Sequence, residues 1–228
     1  MSERPGEALT AILNFHGIGE PARPVERGEA RYWISTDMFS RMIERARDLA
    51  SVRPIAITFD DGNASDLRVA LPILERNGFR ASFFVIADRL DQSGSLSRQD
   101  LRMLRAAGMT IGSHGYSHVD WRRLDSDGQT REWREARQII ADAIDAAVDT
   151  AAIPFGSYDR KVLAGLKEAG YSQVMTSDRG LTRLGWLVER TSLTAEDTPE
   201  TMEMVIRGVV PLATRLRRGA GMLLRRYT

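Results

Sequence analysis

The 228-residue chain contains no cysteine. That excludes disulfides and thiolate catalysis, and leaves nitrogen and oxygen as the donors for any metal. An excess of one charge is missing as well: 32 Lys and Arg stand against 31 Asp and Glu, a net +1. Such a balance gives no overall attraction to nucleic acid or anionic lipid. No apolar run approaches the roughly 18 residues of a membrane-spanning helix. The run 9–15 has no basic stretch before it and is interrupted by Thr10 and Asn14, which makes a poor signal peptide. The expectation is a soluble, cytoplasmic chain. Histidine is scarce, with three in all: His16, His114 and His118.

What is present is ordinary for a globular protein, with 43% hydrophobic and 28% charged residues, enough for one domain with a sizeable core. Strand-like runs recur at 9–15, 54–59, 80–87, 109–113, 151–154, 172–176 and 186–191, with helical patterns between most of them. Residues 36–50 place Phe39, Met42, Ile43 and Ala46 on one stripe, with Ser35 as N-cap. Residues 66–77 form another helix that Pro72 should kink. Ser97 and Asp100 have the spacing of a capping box. Trp133, Arg137, Ile140, Ile144 and Val148 form a long stripe, and Val162, Leu163, Leu166 and Ala169 a further one. Alternating strands and helices predict a parallel sheet. About seven strands predict a closed, irregular β/α barrel: one α/β domain over 1–228, with its core at about 9–191 and a C-terminal helical segment at 192–228. In such a barrel the chemistry sits where strands end. His16, Asp60, Asp61, His114 and Pro154-Phe155-Gly156 occupy such ends, and His118 lies one turn beyond.

Two runs carry the chemistry: Thr58-Phe59-Asp60-Asp61-Gly62 and Ser113-His114-Gly115-Tyr116-Ser117-His118. On a helical turn, residues i and i+4 share a face, so both imidazoles can reach one ion. Two imidazoles and one carboxylate leave a coordination position open, as in a catalytic site, and a second carboxylate remains as a base. Each run has a blander reading: Asp-Asp-Gly as a solvated turn, and the histidines as one helix cap and one exposed ring. That all three histidines and both aspartates follow short apolar runs favours convergence.

These runs resemble the first two motifs of the polysaccharide deacetylases with a NodB-homology domain, carbohydrate esterase family four. Ile153-Pro154-Phe155-Gly156 is similar to a degraded third motif, and Leu71-x-x-Leu74-x-x-Asn77-Gly78 followed by Ala81-Ser82-Phe83-Phe84-Val85 matches the family's flanks. The resemblance covers roughly 9–191 and implies an irregular seven-stranded β/α barrel. It implies that Asp61, His114 and His118 bind one divalent metal ion, usually zinc. It also implies Asp60 as general base and the Phe155 backbone N–H as an oxyanion donor. The substrate it implies is a carbohydrate with N-acetylated sugars. Three departures stand out. Gly115 replaces the hydroxyl residue that often follows the first histidine, no arginine precedes Pro154 to orient the base, and no histidine follows His118 to serve as acid. Leu13-Asn14-Phe15-His16-Gly17 resembles the circularly permuted exopolysaccharide-deacetylase branch, which takes its acid from the first strand.

An acetamide site also needs a proton for the departing amine, and His16 is the remaining histidine. Tyr116 and Trp121 are candidates for stacking on a sugar ring, with core packing as the other reading. Tyr158 is a candidate for lining the cleft or for the first turn of the next helix. Asp178 and Arg190 are candidates for bracing Asp60 or His16, or belong to a turn and an ordinary ion pair. Other functions compatible with the motifs are a related amidase on a small cyclic amide or formylated sugar, and a non-catalytic glycan binder. Arg215, Arg217, Arg218, Arg225 and Arg226, interleaved with leucines, suggest an amphipathic end or a weak contact with a membrane surface or partner.

Overall fold

A computed structural model describes residues 8–209. Eight strands form one nearly closed parallel sheet: β1 (Thr10–Phe15), β2 (Ile55–Asp61), β3 (Ala81–Val85), β4 (Thr110–Ser113), β5 (Thr150–Ala152), β6 (Gln173–Thr176), β7 (Leu187–Glu189) and β8 (Thr191–Ser192). From β1 to β7 each strand pairs with its successor in the chain, and β8 returns to β1. The expected strand 186–191 is therefore two short strands split at Arg190, the first facing β6 and the second β1. Counted as one bent strand, they give the seven expected. A short strand, Leu181–Thr182, adds to β1 in antiparallel fashion.

Strand alternation sorts the residues into two layers. Ala11, Leu13, Phe15, Ile57, Phe59, Phe83 and Val85 face the surrounding helices in the main core, where Phe59 stacks on Phe83 at 4.7 Å and Phe15 meets Phe39 edge-on at 5.0 Å. Ile12, Phe84, Ala152, Met175 and Val188 form a separate cluster. They fill the barrel interior. Gly112 makes room for it, since a Cβ there would lie 2.5 Å from the Phe84 ring.

The α-helices longer than one turn are α1 (Thr36–Leu49), α2 (Leu71–Arg76), α3 (Arg98–Ala106), α4 (Ala136–Ile144), α5 (Arg160–Glu168) and α6 (Pro199–Arg207). Ser35 caps α1 by accepting from the Met38 N–H, and Ser97 with Asp100 forms the capping box of α3. The irregularity expected at Pro72 lies upstream, as a π-helical turn over Asp66–Ala70 that leads into α2. The stripe from Trp133 likewise divides, into a π turn over Thr130–Glu135 and α4. It stops before Val148, because Asp145 is left-handed at φ 51°. Of the expected C-terminal helical segment, α6 is described and ends at Gly208. The basic residues from Arg215 onward lie outside the described residues. Within the described residues no helix is long and apolar enough to cross a membrane.

Candidate active site

The C-terminal ends of the strands surround a cavity of about 420 Å³ lined by His16, Asp60, Asp61, His114, His118 and Phe155, among others. Asp60 and Asp61 belong to β2 itself, which runs two residues further than its apolar pattern suggests. Adjacent strand residues point to opposite faces, yet both aspartates line this cavity. The backbone explains it: Asp61 has φ 77° and Gly62 φ 69°, and two successive left-handed residues turn the chain back on itself. Aspartate is among the few side chains that accept such a conformation readily.

The two histidines do not share a helical turn. Residues 114–118 form an irregular loop after β4, with Gly115 at φ 83° and His118 at φ 57°. Glu132, which the sequence reading missed, holds this loop. Its buried carboxylate accepts from the backbone N–H of Tyr116 (2.8 Å) and of Ser117 (3.0 Å), the Ser117 hydroxyl (2.5 Å) and the Trp121 indole (3.3 Å). A Cβ on Gly115 would lie 2.4 Å from Glu132 Oε2. Glycine here admits the carboxylate, and Glu132 braces the loop in place of the absent hydroxyl. Glu132 sits in a π turn, a feature frequent at functional sites; beyond that it carries no signal in the sequence.

Each imidazole is oriented by its Nδ1. That of His114 donates to the Ala152 carbonyl at 2.9 Å, and that of His118 meets Glu26 Oε2 at 3.1 Å. A donor proton on Nδ1 leaves the Nε2 lone pair free, the form a metal requires. Both Nε2 atoms face Asp61 Oδ1, at 3.6 and 3.7 Å. That oxygen is buried and has no hydrogen-bond partner among the described residues. Burial pushes the His114 imidazole down to about 4, so it is neutral near pH 7. Burial would raise the Asp61 carboxyl, but His16, His118 and His114 around it hold it below its ordinary value. The three ligand atoms lie within 4.8 Å of one another. A tetrahedral ion with nitrogen and oxygen donors near 2.0–2.1 Å sets them roughly 3.3–3.4 Å apart. The two spacings from the imidazoles to Asp61 need only a small contraction, and the donor types fit a divalent ion.

Asp60 is held differently. Arg190, 0% exposed, fills the barrel interior above the Phe84 ring (5.2 Å) and binds both oxygens of Asp60 at 2.7 and 2.8 Å. Asn14, the polar interruption of β1, donates to Asp60 Oδ2 at 2.9 Å and accepts from Arg190 and the Thr58 hydroxyl. Burial alone would raise the Asp60 carboxyl; the Arg190 guanidinium and then His114 hold it far below the usual carboxylate range. The brace missing before Pro154 is therefore supplied from the β7–β8 break. A third carboxyl, Asp66, is fully buried. Burial, then Asp61 and Asp60, raise its carboxyl well above its ordinary value.

His16 lines the cavity with its ring 4.5 Å from Tyr32 and its Nδ1 buried without a partner. Phe155 sits at φ 58°, unusual for a bulky residue, with its ring 64% exposed and 4.4 Å from His118. Three expected ligand-contacting rings stand elsewhere. Trp121 is 1% exposed and packs edge-on against Trp133. Tyr158 is buried and donates to Asp178 at 2.6 Å. Tyr116 packs against the core with the Arg131 guanidinium 4.1 Å over its ring. The apolar bodies of these rings won them for packing. Asp178 also accepts from the Thr176 hydroxyl, at 2.9 Å.

The family model for polysaccharide deacetylases matches residues 49–174, which hold Asp60, Asp61, His114, His118 and Phe155. The chain belongs to the polysaccharide deacetylase family. Among curated members of the family, the putative polysaccharide deacetylase YxkH of Bacillus subtilis is 24% identical over 190 residues, 78% of this chain and 67% of that protein. The chitin deacetylase of Colletotrichum lindemuthianum is 30% identical over 124 residues, spanning 54% of this chain and 50% of that protein. The barrel is shared with the Streptococcus pyogenes deacetylase PplD, solved with acetate (TM-score 0.77, 20% identity, 88% of this chain and 99% of that one). It is also shared with IcaB from Ammonifex degensii (TM-score 0.66, 21% identity, 89% and 97%). At these identities the two structures speak for the fold alone. His16 lies outside the matched segment, one residue past the end of the strand that closes the barrel.

Proposed function

We propose that this polysaccharide deacetylase removes N-acetyl groups from an amino-sugar-containing glycan, in a reaction that depends on a divalent ion, zinc in the first instance. The observation that carries the reading is the orphaned Asp61 Oδ1 between two oriented Nε2 atoms, beside an Asp60 held ionised by Arg190. Asp61, His114 and His118 would hold the ion, which when bound supplies Lewis acidity and lowers the pKa of its water. Asp60 serves as base: Arg190 and Asn14 fix its carboxylate, and among the described residues Oδ1 accepts only from Arg190, so a lone pair remains for an incoming proton. The Phe155 N–H donates to the developing oxyanion, a contribution worth roughly 3–4 kcal/mol for a well-placed donor. His16 protonates the departing amine, and Tyr32 stacked against it holds the ring. An acid on the first strand is the arrangement of the exopolysaccharide branch.

The test is acetate release from N-acetylated oligosaccharides by protein stripped of metal and then given back zinc. Restoration by zinc is expected, and activity that survives stripping would refute the metal. His16→Ala should lose most of its amide turnover and much less on an acetyl ester with a good leaving group, whose oxygen hardly needs a proton. Equal losses on both substrates would make His16 structural.

A further inference from the structure

The same cavity has a cationic wall that deacetylation does not require. Arg27, Arg31 and Arg179 line it, and among the described residues none of the three has a carboxylate within ion-pair distance. The acids around them are already engaged. Glu29 is paired with Arg23 at 2.5 Å, Asp60 with Arg190, Glu26 with Arg89 and His118, and Asp61 faces the histidines. The chain as a whole is nearly neutral, so this excess is local. Arg31 is also held in place. Its guanidinium lies 4.6 Å over the Tyr32 ring and donates to the Tyr32 hydroxyl at 2.5 Å, while Tyr32 stacks on His16. The Arg31 carbonyl accepts from the Ala195 N–H at 2.7 Å, which ties this wall to the chain beyond β8. Arg179 approaches from the loop after β6. It adopts φ 59°, and its N–H is bound to the Arg190 carbonyl at 2.9 Å.

We infer that Arg27, Arg31 and Arg179 form an anion subsite, and that the acetamido sugar taken by this cavity carries a carboxylate or phosphate group. Guanidinium groups suit both, because their planar fork matches two oxygens of an oxyacid. The inference rests on the cavity being the deacetylase site proposed above, and it assigns that site an anionic substrate class.

The test compares N-acetylglucosamine with N-acetylmuramic acid, which adds a carboxylate, and with N-acetylglucosamine 6-phosphate. Binding to the zinc-loaded protein is measured by NMR titration at low salt, with acetate release followed in parallel. At least one anionic sugar should bind on the order of tenfold or more tightly than the neutral one, the increment of a charge-assisted hydrogen bond. The preference should shrink as salt is raised. Comparing the two anionic arms decides between carboxylate and phosphate. In R27Q/R31Q/R179Q the preference should collapse to within about twofold, while lysine at the same positions, which keeps the charge but not the fork, should retain part of it. Equal binding of neutral and anionic sugars, or a preference that survives the triple glutamine variant, would overturn the subsite. Anion preference with no acetate release from these sugars or from N-acetylated oligosaccharides would sink the deacetylase reading and leave the subsite standing; release without preference does the reverse.

Discussion

Replacing Arg190 with Met removes the charge and keeps most of the side chain's length. Arg190 and Asp60 are both buried and joined through two short bonds, so the variant strands a carboxylate inside the barrel. Breaking a buried pair from one side costs about 3–5 kcal/mol. For a domain of this size, 1 kcal/mol moves Tm by roughly 2–4 °C, so the expected loss is roughly 6–20 °C near pH 7 in metal-free protein. The pH dependence supplies the check. In the wild type Asp60 is held below its unfolded value near 3.9. Its stabilising contribution is therefore complete above that pH and fades only in stronger acid. Without Arg190, burial dominates and raises the Asp60 carboxyl. The variant is then penalised most at neutral pH, and the penalty eases as acid neutralises the group. The gap in Tm between the two proteins should narrow from pH 7 to pH 4.5. Adding Asp60→Asn should recover at least half of the loss at pH 7. A gap under about 1 kcal/mol, or one that neither narrows in acid nor responds to Asp60→Asn, would refute the charge argument and leave packing as the cause.

Asp60→Asn alone should retain metal and lower kcat on the order of 10²–10⁴-fold, the range for a lost general base; loss of metal instead would mean the two carboxylates exchange roles. His114→Ala should bind far less zinc by elemental analysis, and full occupancy would remove the metal site as drawn. Because burial lowers the His114 imidazole to about 4, the unfolded chain takes up a proton first as pH falls. Metal-free protein should thus lose roughly 3 kcal/mol between about pH 6.5 and 4, and His114→Gln should flatten that segment of the stability curve. Glu132→Gln keeps the shape of the side chain but removes the charge that receives four donors. Zinc affinity is expected to drop by 10- to 100-fold, and an unchanged affinity would show that the histidine loop holds itself.

The chemistry of this protein was written locally. Asp60 with Asp61 and His114 with His118 are neighbours in the chain, placed at strand ends whose apolar alternation marks them, so the barrel and a candidate metal-binding group could be read along the chain, the choice of Asp61 over Asp60 resting on the family resemblance. What spacing could not tell is who holds them. Arg190 lies 130 residues from Asp60, and Glu26 lies 92 residues from His118. Glu132 reaches its loop from a π turn that a uniform helical period does not reveal. These partners meet only when the barrel closes and buries their charges together, because an ion pair is chosen by distance in space and burial, neither of which leaves a pattern along the chain. The same holds for Trp121 and Tyr158: an aromatic beside a catalytic residue has one sequence and two destinations, and the fold gave these rings to the core. Even the helical turn suggested by the four-residue histidine spacing yielded to tertiary structure, since Gly115 and His118 adopt left-handed backbone to bring both Nε2 atoms onto one oxygen.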